Sequence, residues 1–175
     1  MRKTQIELLQ RAPIFGGIRA DVIRVLLRLC EVVSVPTNEY FFREHDRADS
    51  LFVLQAGEVA VLKVWHGQEH LLNVLKSGDC FGEMAVIDFS PRSASVQAVE
   101  DCTAIRVSAA NLYEIYELDP KQFALIQMNM GREVTRRLRA ADDRLLEIMG
   151  PRATLPFAVQ KPPAHRTRTK TKHSI

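Results

Sequence analysis

The stretch from Gly78 to Val96 limits the fold more than any other part of this chain, because it interrupts a run of short strands with a turn and a short helix. Gly82 has no Cβ and suits a tight backbone turn at Phe81-Gly82-Glu83. The turn leads into an apolar run, Met84 to Phe89, which Ser90-Pro91 closes. Pro91 favours an extended Ser90 and sets the approach to Arg92.

A helix start presents backbone N–H groups that lack intrahelical partners, and an anion fits there. Arg92 adds a planar fork of donors that matches phosphate oxygens. Glu83, when ionised, only accepts hydrogen bonds, so it suits sugar hydroxyls and not a phosphate. A fork for a phosphate and an acceptor for a ribose describe a nucleotide pocket. The plainer alternative is that Glu83 and Arg92 are an ion pair or ordinary surface charges.

Phe81-Gly82-Glu83-Met84-Ala85, followed by Pro91-Arg92-Ser93-Ala94, resembles the phosphate-binding cassette of cyclic nucleotide-binding domains. The likeness extends over about residues 5–148. It implies that Glu83 binds the ribose 2′-hydroxyl and that Arg92 pairs with the cyclic phosphate. Ser93, with backbone N–H groups near Gly82, Met84, Ala85 and Ala94, would complete the cradle. The implied ligand is cAMP or cGMP, with Ser93 in place of threonine favouring cAMP. Asn38 and His45 stand where the family usually has glycine; asparagine is the next best residue for positive φ, whereas His45 would either be strained there or need an altered turn. Where transcriptional activators of the family hold adenine with a threonine and a serine, this chain has Ala141 and Asp142, and Ala141 offers no side-chain hydrogen bond.

The rest of the chain fits that frame. Thr4 to Gln10 reads as a short helix ended by Pro13, and Asp21 is expected to cap a second helix with Val22, Val25, Leu26 and Leu29 on its apolar side. From Glu31 to Val107 the pattern changes to strands and turns. Strands are expected at 32–35, 39–43, 51–55, 59–65, 69–75, 95–99 and 103–107. The expected fold class is mainly β with flanking helices: a double-stranded β-helix, jelly-roll-like barrel with an N-terminal helical element and C-terminal helices. Ser108 to Leu118 reads as a helix with Leu112, Ile115 and Tyr116 inward. Asp119-Pro120-Lys121-Gln122 starts another, with Asp119 as N-cap and Gln122 closing a capping box. That helix is expected to reach about Met149, roughly 45 Å long. Val134, Leu138, Ala141, Leu145 and Ile148 or Met149 form a stripe that packs either on the chain's own barrel or on a second copy as a coiled coil.

The expected organisation is a cyclic nucleotide-binding domain over 1–149, with its barrel at about 31–107 and C-terminal helices at about 108–149, and a basic, disordered tail over 150–175. Six of the 24 basic residues (Arg152, Lys161, Arg166, Arg168, Lys170, Lys172) follow Gly150, where no acid occurs. Removing them leaves 18 basic against 21 acidic residues, so the body carries −3 and makes no electrostatic case for wrapping nucleic acid. Any such case rests on the tail. No apolar run approaches the roughly 18 residues a membrane span needs, and Met1-Arg2-Lys3-Thr4 does not open a secretory leader. A cytoplasmic protein is expected. The three cysteines, Cys30, Cys80 and Cys102, fit neither a disulfide framework nor a zinc site; Cys80 lies beside the cassette, where a redox role is conceivable.

No catalytic residues and no metal site are expected, so the chain is read as a sensor and not an enzyme. The expected function is a stand-alone module that binds a cyclic nucleotide and signals to an unidentified protein effector by movement of its C-terminal helices. A homodimer through residues 131–149 is a further expectation. The alternatives are a nucleic-acid-binding regulator that uses the tail, and an interaction module with a degenerate or different ligand.

Overall fold

A computed structural model describes residues 2–150; the basic tail lies outside the described residues. The unit Met1–Leu138 contains both sheets and most of the helices, whereas of Arg139–Ile175 only the last turns of the final helix are described.

Helix α1 (Arg2–Arg11) stops ahead of Pro13, which opens a single 3-10 turn, Pro13–Phe15. Helix α2 (Ala20–Leu29) follows. Its N-cap is Arg19, with no side-chain cap, and not Asp21. Asp21 lies in the first turn, where its carboxylate meets the Arg19 guanidinium at 3.0 Å. A carboxylate there still faces the positive end of the helix.

Eight strands come next: β1 (Glu31–Val35), β2 (Tyr40–Phe42), β3 (Ser50–Ala56), β4 (Glu58–Trp65), β5 (Gln68–Lys76), β6 (Cys80–Phe81), β7 (Ser95–Ala98) and β8 (Cys102–Ser108). The short helix α3 (Met84–Asp88) separates β6 from β7. The strands form two antiparallel four-stranded sheets, β1-β8-β3-β6 and β2-β7-β4-β5. The mainly β, jelly-roll-like class with flanking helices is therefore observed, but the strands do not close into one barrel. Strand β6 has only two residues before the chain leaves through Gly82, so its ladder ends with Phe52↔Phe81 and Val53↔Cys80.

The inner faces of the two sheets share one core, which includes Phe52, Leu54, Val59, Leu75, Phe81, Val96, Ala98 and Ala104. Phe52 and Phe81 stack there at 5.3 Å, with Phe41 edge-on to both. A second core lies on the outer face of the first sheet, where Leu51, Val53, Ile105 and Val107 meet Phe15, Val22, Leu26, Leu112, Ile115, Ile126 and Met130. Strand β3 is thus covered on both faces, and Ser50 to Leu54 are all buried. Such a strand loses the alternation of a half-exposed one.

Several turns hold non-glycine residues in the left-handed region, and at His45 the turn is kept and not altered. Asn38 and His45 have φ of 68° and 71°. His66 and Gly67, at φ 50° and 76°, join β4 to β5 as a two-residue hairpin.

Ser108 caps α4 (Ala109–Leu118) in a reciprocal capping box with Asn111. Leu112 and Ile115 point inward as expected, but Tyr116 is 44% exposed, with its ring edge-on to Phe123 at the rim. Asp119 caps α5 (Pro120–Met149), accepting from the amides of Lys121 and Gln122. Gln122 does not close the expected box: its Oε1 accepts from the Arg19 amide at 2.8 Å and ties the start of α5 to the start of α2. Along α5, Ile126, Asn129, Met130 and Glu133 are buried, whereas Leu138, Leu145, Ile148 and Met149 are exposed. Among the described residues, no helix is long and apolar enough to cross a membrane.

Candidate functional site

The cassette begins where β6 pairs with β3 and turns at Gly82, whose φ is +78°. A Cβ there would lie 2.5 Å from Arg92 Nη1, so glycine is needed both for the backbone and for the approach of the arginine. Glu83 occupies the N-cap of α3, and its carbonyl accepts from the amides of Val86 and Ile87. The helix ends on Phe89, which is left-handed at φ 57° and 85% exposed.

The chain then returns to the loop between β2 and β3. The Arg92 amide donates to Asp46 O, and the His45 amide donates to Arg92 O, both at 2.9 Å. These bonds fix the Arg92 backbone and explain why His45 keeps a conformation that usually selects glycine. The Arg92 side chain runs inward and is 5% exposed. Its guanidinium lies 4.0 Å over the Phe42 ring, its Nη1 donates to Gly82 O at 2.9 Å, and its Nη2 approaches Ser50 Oγ at 3.5 Å. Burial pulls the Arg92 pKa down.

The structure draws the two halves of the cassette together. Arg92 reaches back to Gly82, and Ser93 Oγ donates weakly to Met84 Sδ at 3.7 Å. Ala85 and Ala94 are buried, whereas Met84 and Ser93 are exposed. A cavity of about 340 Å³ has Arg92 in its wall together with Phe41, Phe42, Ser50, Phe52 and Arg106; Glu83 is not part of that wall.

Glu83 is buried beneath α5. Its Oε1 accepts from Arg137 Nη1 at 2.9 Å, and Arg137 Nη2 also donates to Cys80 O. Arg137 Nε bonds to Glu133, a buried acid that Arg136 grips as well. Burial pushes Glu83 above the ordinary glutamate range, with Arg137 opposing it. Burial also pulls Glu133 up, but Arg136 and Arg137 prevail and hold it low. The Cys80 thiol is pushed up to about 12, chiefly by burial and next by Glu83, so it is protonated at neutral pH. Sequence reasoning did not assign Arg137 a role. The available signal was Glu133 and Arg137 at i and i+4 on one helix, which is common on solvated faces; nothing local pointed to Glu83.

Among the described residues, two buried side-chain polar atoms lack any hydrogen-bond partner: Glu83 Oε2 and Arg92 Nε. Orphaned buried polar groups are costly. Here they fall on Glu83 and Arg92, the acid and the arginine that the sequence assigned to the ligand.

The family model of the cyclic nucleotide-binding domain matches residues 32–119. A CRP-like cAMP-activated global transcriptional regulator of Mycobacterium tuberculosis is 27% identical over 144 residues, covering 82% of this chain and 62% of its own length. The catabolite activator protein of Thermus thermophilus superposes with a TM-score of 0.68 at 28% identity, covering 78% of this chain and 62% of that one. A cyclic nucleotide-binding domain from Methylobacillus flagellatus gives a TM-score of 0.74 at 26% identity, with 83% of each chain covered. The chain spans about three-fifths of the length of the first curated relatives it matches.

Proposed function

This chain belongs to the cyclic nucleotide-binding domain family, and from that premise we propose that it is a regulatory module whose cassette takes cAMP in preference to cGMP. The observation that carries the reading is the pair of orphaned atoms, Glu83 Oε2 and Arg92 Nε. In this reading the free carboxylate oxygen accepts from the ribose 2′-hydroxyl, and the half-used guanidinium turns its remaining donors to the cyclic phosphate. Ser93 and backbone N–H groups of Gly82, Met84, Ala85 and Ala94 complete the phosphate shell. No bond is made or broken; the role is capture and signalling.

The signal would leave through α5. Arg137 couples that helix to Glu83 and to the carbonyl of Cys80. A ligand that engages the free Oε2 shares the Glu83 carboxylate with Arg137, and so couples the occupancy of the pocket to the position of the helix. An unidentified protein effector reads the result. The exposed stripe of Leu138, Leu145, Ile148 and Met149 supports pairing of two copies along α5.

Calorimetric titration of the full chain with cAMP and with cGMP, with Arg92→Ala as control, tests the reading. Binding of cAMP that the variant loses by a hundredfold or so supports it, since a charged hydrogen bond is worth about 1.5–3 kcal/mol. Absence of heat at millimolar ligand, or equal binding by the variant, removes it.

A further inference from the structure

Among the described residues, Arg92 is held without an acid in direct contact, although acids stand close by. Its guanidinium bonds to a carbonyl, a serine hydroxyl and an aromatic face. Yet Asp49 adjoins Ser50 in sequence, lines the same cavity as Arg92, and leads the charges acting on it. Asp49 is occupied elsewhere. Arg106, on β8, donates to its carboxylate at 3.2 and 3.5 Å, to Glu31 at 2.7 Å across the β1–β8 pair, and to Ser50 Oγ at 3.1 Å. The buried Ser50 hydroxyl thus lies between two guanidinium groups. Of the two acids that line the cavity, Asp46 accepts from the Arg43 amide at 2.7 Å and Asp49 is held by Arg106.

We propose that Arg106 is a positioning residue for the anion site: by sequestering Asp49 and sharing Ser50, it keeps Arg92 unneutralised and so available to a phosphate. This rests on the reading that Arg92 takes the cyclic phosphate. A carboxylate paired with Arg92 would have to be displaced before the ligand could bind, which subtracts directly from affinity. Phosphate and carboxylate compete for the same fork because both match its parallel donors.

The test is cAMP titration of the full chain for wild type, Arg106→Met, Asp49→Asn and the double variant Arg106→Met/Asp49→Asn. Arg106→Met is expected to weaken binding at least tenfold, because Asp49 is released toward Arg92. Asp49→Asn alone should stay within about threefold of wild type, and the double variant should recover to that level. Recovery separates the proposal from a merely structural role, since removing a second charged side chain repairs no fold. If Arg106→Met does not fold, Arg106→Gln keeps a donor for Ser50, loses both ion pairs, and should show the same loss and the same recovery. Unchanged affinity in the Arg106 variants, or a loss that Asp49→Asn leaves in place, overturns the proposal while cAMP binding by wild type stands. No binding by wild type overturns the parent reading and this one with it.

Discussion

Arg137, on α5, donates to Glu83 Oε1 at 2.9 Å, joining two residues 54 positions apart. Glu83 is 1% exposed and this is its one ion pair among the described residues, so the bond ties the longest helix to the cassette. Removing one partner of a buried pair strands the other, which costs more than the pair is worth as a whole. Arg137→Met should therefore lower stability by about 3 kcal/mol in urea unfolding. Adding Glu83→Gln should restore a good part of that loss, since no buried charge is left. A single variant as stable as wild type, or a double variant worse than the sum of the two singles, would show that the pair carries no structural weight.

Stability should also respond to the protonation of Glu83. Burial raises its folded-state pKa above the ordinary glutamate value, so between those two values the folded state binds more protons than the unfolded one. The sign follows: Glu83 contributes most favourably below its unfolded pKa, and that contribution is lost as pH rises through the raised folded value. Glu133 and other acids with lowered values act in the opposite direction, so the comparison must be with Glu83→Gln. Thermal melts of both proteins from acid to neutral pH should show the stability of wild type falling relative to the variant as pH rises through that window. A constant difference across the range, or one of opposite sign, would mean that Arg137 outweighs burial at this carboxylate.

Much of this fold is written locally, and its non-local parts are not. Asn38 and His45 stand where the family usually has glycine, and both keep the left-handed turn conformation, His45 with its amide bonded to Arg92 O. Asp119-Pro120 marks the start of α5 because capping needs only neighbouring residues. Strand β6 escaped notice because two residues carry no period. The division into two sheets depends on where β6 stops pairing, which no single strand encodes. Gln122 matches a capping-box pattern, but the Arg19 amide, far off in sequence, won its side chain. In the site, Gly82, Glu83 and Arg92 were legible because one short loop carries them. Arg137 and Arg106 were not, because their roles exist only after α5 and β8 have packed.

Gly82→Ala probes the close approach in the cassette. The new methyl group would meet Arg92 Nη1 at 2.5 Å in a backbone already at φ +78°. A left-handed conformation costs a residue with a Cβ roughly 1–2 kcal/mol, and Arg92 must also leave Gly82 O. The variant is expected to fold with a loss of about that size and to lose cAMP binding in the same titration used for Arg92→Ala. Retention of wild-type affinity would mean that Arg92 can bind its anion from another position.

Phe89→Gly should move stability the other way. Phe89 ends α3 at φ 57°, a region in which a bulky residue is an outlier. Its ring is 85% exposed, so little buried area offsets the strain. Glycine removes the conformational cost, although its freer unfolded state returns roughly 0.5–1 kcal/mol. The balance favours the variant by up to about 1 kcal/mol, seen as a melting temperature a few degrees higher. If Phe89→Gly melts lower instead, the ring makes a stabilising contact that outweighs its backbone strain, and the exposed end of the cassette is better packed in solution than its exposure indicates.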